Sequence, residues 1–147
     1  MAEWQYPNSC YSSCGSSGGQ VCGYLLNTQN IWRHDYNHKH WVILDLGETK
    51  LIEKVRFNIS TYAEDRLSGV DVYITDDPEN WGDAVATDLS FTTPSSWNER
   101  DVTPKAGRYI KCADIDTEAG DNCIYGRLFQ VYAGPVPEDL SYGFIMG

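Results

Sequence analysis

Basic residues are scarce in this chain: 11 Lys and Arg stand against 21 Asp and Glu, for a formal net charge of −10. A field of that sign repels phosphate backbones and anionic headgroups, so nucleic acid and anionic membranes are not expected partners. Long apolar runs are missing too, since none approaches the roughly 18–20 residues of a spanning helix. The opening Met1-Ala2-Glu3-Trp4 lacks the basic and apolar regions of a signal peptide. It is read as an artificial start on a chain whose targeting segment has been trimmed.

Catalytic signatures are equally thin. There is no Gly-x-Ser-x-Gly elbow, no Gly-rich phosphate loop between a strand and a helix, and no Cys-His arrangement with independent support. Among 21 acidic residues some pair will sit at glycosidase spacing by chance, so their number is not evidence of hydrolysis. The chain is therefore expected not to be an enzyme. No amphipathic helix of normal length is written anywhere.

What is present is aromatic: ten Tyr, five Trp and four Phe in 147 residues, a length that suits one domain with one core. Five cysteines, Cys10, Cys14, Cys22, Cys112 and Cys123, are many for a reducing compartment and point to secretion or the cell surface. Cys112 and Cys123 flank a short acidic loop and are candidates to close it, while the odd count leaves one of Cys10, Cys14 and Cys22 over if two bridges form. Zinc is not expected from Cys10-x3-Cys14-x7-Cys22, which has no matched second pair. His34-x3-His38-x-His40 has imidazoles suited to zinc or copper but nothing placed to complete a site.

Three segments follow from composition. Residues 1–23, rich in Ser, Gly and Cys from Pro7 onward, read as a stapled N-terminal segment packed on the domain; 135–147, with two prolines at its start, as a linker or tail of a larger protein. In between, the period is two. Val55, Phe57 and Ile59 alternate with polar residues, as do Val70, Val72 and Ile74, whereas Trp41–Leu46 is apolar on both faces like a central strand. Further short strands fit near 84–91, 99–103, 107–113 and 124–133. With turn signals at Leu46-Gly47-Glu48, Ser68-Gly69, Asp76-Asp77-Pro78 and Ala106-Gly107, the expected class is all-β, an antiparallel sandwich with recognition residues on its end loops.

Five pieces in order carry a resemblance: Asn30-Ile31-Trp32, His40-Trp41-Val42-Ile43-Leu44-Asp45-Leu46-Gly47 with Leu51–Phe57, Gly69–Ile74, Gly107–Lys111, and Phe129–Gly134. Over residues 24–134 the chain resembles the discoidin, or coagulation factor type C, domain family of galactose-binding-like folds. The resemblance implies a jelly-roll β-sandwich used for extracellular adhesion and glycan binding. It implies a non-catalytic carbohydrate-binding module, with a protein-binding adhesion module as the alternative and a metal-dependent hydrolase behind both.

F-type lectins, on the same fold, carry a His, an Arg-x-Asp after 24 residues and a further basic residue four beyond. Here His34 and Arg66 match the outer members, while Ile59 and Thr61 stand where the Arg and Asp would be. Asp65 is the candidate replacement carboxylate. Sugar recognition calls for planar hydrogen-bonding groups and an aromatic face for the C–H side of a pyranose, so the ligand-binding candidates are His34, Tyr36, Tyr62, Asp65, Arg66 and Trp97. Trp32 is expected in the core and Trp81 as a loop closure. The resemblance also implies a structural calcium ion near Asn27 and Asn30, although the last strand offers Leu128, Phe129 and Gln130 where relatives place a Glu ligand. Asp114-Ile115-Asp116-Thr117-Glu118 reads as a solvated acidic loop.

Overall fold

The computed structural model describes residues 1–12, 22–26, 32–34, 40–59, 67–117 and 124–138. Among these residues eight strands are formed: β1 (Glu3–Gln5), β2 (Ser9–Ser12), β3 (Trp32–His34), β4 (His40–Ile59), β5 (Leu67–Thr75), β6 (Ala86–Phe91), β7 (Trp97–Thr117) and β8 (Ile124–Gly134), with a 3-10 turn at Cys22–Leu25. Every pairing is antiparallel.

Two of these strands are long enough to serve both layers of a sandwich. The first half of β4 pairs with β2 and with the second half of β7, which continues through β5 to β6; this is the front layer. The second half of β4 pairs with the first half of β7 and with β8, whose other edge takes β1 and β3; this is the back layer. Register shifts between Asp45 and Lys50 and between Ile52 and Lys54 mark where the two strands bend from one layer to the other.

The bends fall at two of the turn signals of the sequence. Leu46-Gly47-Glu48 reads as a strand end, yet it is a bulge within β4: Gly47 has φ +84 and a Cβ there would meet Asn8 Nδ2 at 2.3 Å, so glycine lets the strand bend without stopping. Ala106-Gly107 likewise interrupts nothing. A Cβ on Gly107 would lie 2.6 Å from Ile74 Cγ2 and 2.9 Å from the Thr75 nitrogen, so its missing side chain is what lets β5 approach. The expected strands near 99–103 and 107–113 are consequently one strand, and Asp114–Thr117 continues it.

Alternation gives the core. Val42, Leu44 and Leu46, then Val55, Phe57 and Ile59, then Val70, Val72 and Ile74 all point inward and are buried. Phe57 of the back layer meets Phe91 of the front layer at 4.9 Å between ring centroids and Phe129 beside it at 4.7 Å, which ties the layers together. Burying three phenylalanines completely stabilises the fold by about 1.5–3 kcal/mol each.

Of the cysteine expectations, the bridge between two members of the N-terminal cluster forms and the Cys112–Cys123 bridge does not. Cys10 and Cys22 form the disulfide, joining β2 to the 3-10 turn. Cys112 is a free thiol, completely buried because it shares the inward parity of Ile110 on β7, so it does not bridge to Cys123. Cys14 and Cys123 lie outside the described residues.

Candidate functional site

The strand ends gather at one rim. His34 closes β3 opposite Ile124, the first residue of β8; β4 ends at Ile59 opposite Gly126; β5 starts at Leu67 opposite Thr117, the last residue of β7; and β6 ends at Phe91 opposite Leu67. The described residues His34, His40, Ile59, Leu67, Thr117 and Ile124 flank the segments 35–39, 60–66 and 118–123. Of the candidate ligand residues, Tyr36, Tyr62, Asp65 and Arg66 belong to those segments and lie outside the described residues, as do the candidate calcium ligands Asn27 and Asn30. His34 is placed by its backbone, and Trp97 is placed completely.

Trp97 opens β7 directly opposite Asn58, next to the Thr92–Ser96 turn. That turn is held from within. Asn98, buried, donates from Nδ2 to the carbonyls of Thr93 and Ser96, both at 3.0 Å, and its Oδ1 accepts from the Thr93 amide at 2.9 Å. Ser95, at φ +57, turns its amide onto the Ile59 carbonyl at 3.2 Å and so ties the turn to the end of β4. Asn98 was not singled out from the sequence, although an amide inside a Pro-Ser-Ser turn is the residue type that performs this job. Among the described residues the one buried side-chain acceptor without a partner is Asn58 Oδ1, in the strand position facing Trp97.

On the back layer's outer face Trp97 has a second neighbour. The Arg56 guanidinium lies 4.2 Å from its ring centroid and 4.1 Å from that of Trp4, so the cation sits between two indoles. Its edges are taken as well: Nε donates to Gln130 Oε1 at 2.9 Å, Nη2 donates to the same oxygen, and Nη1 reaches Glu99 Oε1 at 3.4 Å. Trp4 in turn meets the Tyr132 ring edge-on at 5.3 Å. One indole face of Trp97 is thus committed to protein. Gln130, which stands near where a carboxylate ligand for calcium was sought, has its Oε1 engaged by Arg56, and Phe129 is in the core. The described part of the last strand does not fit a calcium site.

Arg108 grips Asp45 with both Nε and Nη2, at 2.8 and 2.9 Å, and that hydrogen bonding, with help from the Gly47 amide, holds the Asp45 carboxyl below the usual range against the opposing effect of burial. At the pole opposite the rim a groove of about 400 Å³ runs past Glu3, Gln5, Glu48 and Lys50. Its cation is occupied by Gln5 and, at 3.5 Å, by Glu48. No group of three or more His, Cys, Asp and Glu side chains is assembled for a metal among the described residues.

Comparison with known proteins agrees with this architecture. The F5/F8 type C family model described as "NedA-like, galactose-binding domain" matches residues 26–112, more than half of the chain. Among solved structures, a pectin-binding carbohydrate-binding module is 19% identical with a TM-score of 0.73, covering 93% of this chain and 96% of that one. The CBM32 of AlyQ, in complex with 4,5-unsaturated mannuronic acid, is 14% identical with a TM-score of 0.73 over 88% and 98% of the two chains. The family 32 module of NanJ from C. perfringens, in complex with galactose, is 10% identical with a TM-score of 0.70 over 88% and 99%. No curated protein sequence matches significantly.

Proposed function

The chain belongs to the F5/F8 type C family of galactose-binding-like domains, and from that membership we propose that it is a non-catalytic saccharide-binding module of an extracellular multidomain protein, engaging its ligand at the rim. The observation that carries this is the convergence of strand ends: the segments 35–39 and 60–66, which bear Tyr36, Tyr62, Asp65 and Arg66, are flanked by the ends of β3, β4 and β5, and Trp97 opens β7 opposite Asn58 near the end of β4. A pinned turn under Trp97 gives the stacking ring a fixed orientation, which spares a ligand the cost of ordering it. Modules of the same fold in complex with galactose and with 4,5-unsaturated mannuronic acid, and one described as pectin binding, support the ligand class.

A glycan array read with calcium and again with chelator tests this. Saccharide binding that falls on Trp97→Ala, His34→Ala or Arg66→Ala is the expected result, and a loss with chelator that calcium alone restores and that Asn27→Ala or Asn30→Ala reproduces would place a calcium ion there. An array with no hits, together with a protein captured from culture supernatant, would replace the saccharide with a protein partner.

A further inference from the structure

The edge strand β1 has no part in the core. Its three residues, Glu3, Trp4 and Gln5, are exposed or half-buried, and in the back layer it borders β8 alone. Three ladder positions hold it, Glu3 opposite Ala133, Trp4 opposite Tyr132 and Gln5 opposite Val131, with Gln5 Nε2 donating to the Ala133 carbonyl at 2.9 Å. A short strand that buries so little can leave its sheet without unfolding the molecule.

Through Trp4, β1 nevertheless reaches the rim. Arg56 of β4 stands opposite Gln130 of β8 on one side and Glu99 of β7 on the other. Trp4 comes from beyond β8 and Trp97 from β7, so the two indoles approach the guanidinium from opposite flanks of β4, to 4.1 and 4.2 Å from their centroids. The Arg56 side chain is only 17% exposed, and a cation partly withdrawn from water holds aromatic rings more firmly than a solvated one. Gln130, itself buried, accepts from Nε at 2.9 Å and also from Nη2, which fixes the guanidinium in place. Trp4, Arg56 and Trp97 thus form an unbroken line of contacts from the edge strand to the partly exposed ring at the rim, across three strand spacings or about 14 Å.

We propose that β1 controls the saccharide site without touching the ligand: Trp4 is a positioning residue that holds the Trp97 ring through Arg56, and release of β1 from β8 lowers affinity at the rim. The coupling is reciprocal, since a ligand that favours the held ring must favour the docked strand by the same factor. The inference rests on the saccharide-module reading above and adds a control on that site.

Titration calorimetry with galactose, a mannuronate oligosaccharide and oligogalacturonate gives the affinity of each variant. Trp4→Ala is expected to weaken whichever of them binds by about fivefold, Trp4→Phe to restore most of the loss, and Arg56→Lys, which keeps the charge without the planar fork, to lie between. A merely structural loss would carry over to any background, whereas a loss that acts through the ring disappears with the ring. In Trp97→Ala, adding Trp4→Ala should therefore change affinity by less than about twofold. In protein labelled with fluorotryptophan the Trp97 resonance should shift on Trp4→Ala, and saturating ligand should slow exchange of the β1 ladder amides. If Trp97→Ala abolishes binding, the resonance and the exchange rates decide. Equal losses from Trp4→Ala with and without the Trp97 ring, binding indifferent to Trp4→Ala or to Trp97→Ala, or a Trp97 resonance that does not respond to Trp4 would overturn control by β1 while leaving the saccharide-binding module intact. No binding of any of the three sugars would overturn the module reading, and this one with it.

Discussion

The guanidinium of Arg56 lies between the indoles of Trp4 and Trp97, 4.1 and 4.2 Å from their centroids, although the three residues come from the first, fourth and seventh strands. It fastens the short edge strand β1 to the back layer and orients the ring that faces the rim. Arg56→Ala removes both ring contacts and strands the buried amide of Gln130, at a cost of about 1–3 kcal/mol. Denaturant unfolding followed by tryptophan fluorescence should show a lower midpoint and an altered native spectrum. A native spectrum identical to wild type would mean that the cation does not hold the rings.

The Cys10–Cys22 bridge closes a short loop, with the cysteines 12 positions apart, and limits the unfolded chain. Loop-closure entropy at that length corresponds to about 3 kcal/mol. A Cys10→Ser, Cys22→Ser variant is expected to unfold at clearly lower denaturant with an unchanged slope, and mild reduction of the wild type should reproduce it.

Asp45 links stability to pH. Its carboxyl titrates lower folded than unfolded because of Arg108, so its contribution is complete above the unfolded value near 4 and is lost as pH falls through the lower folded value. Asp45→Asn should therefore lower Tm at pH 7, and the gap from wild type should narrow in scans taken progressively below pH 4. A gap constant from pH 7 to pH 2 would assign the loss to packing.

Cys112 is sealed in the core and burial pushes its thiol far above the usual range. Because the thiolate is the reactive form, alkylation of this residue in the native protein should proceed only through unfolding. Peptide mapping after a timed iodoacetamide pulse should find it unlabelled in buffer and labelled in denaturant. Rapid native labelling would show that β7 opens locally.

The inward faces could be read directly from the chain. Val55, Phe57 and Ile59, and Val70, Val72 and Ile74, alternate without interruption, and each is buried. The doubly apolar Trp41–Leu46 was equally legible as a central strand, since Val42, Leu44 and Leu46 face the core while Ile43 is covered on the opposite side. The turn signals misled, because a glycine that ends a strand and one that lets a strand bend or be approached look alike in one dimension. Gly47 is of the second kind by its positive φ, and Gly107 by the nearness of Ile74. The partner of Cys10 was hidden for a related reason. Pairing depends on which face a cysteine takes, and Cys112 follows Ile110 inward. At the site, Trp97 was picked out by its turn. That one of its faces belongs to Arg56 depends on sheet register over 41 positions, which no local pattern encodes.

Because β4 and β7 each cross from one layer to the other, neither layer has a boundary along which it could be peeled away. Pulling the front sheet open breaks backbone pairs that the back sheet also depends on. The molecule should therefore let go of its most protected amides together, with Val42 and Phe57 exchanging at the same rate under native conditions, and a ligand held at the rim should slow both.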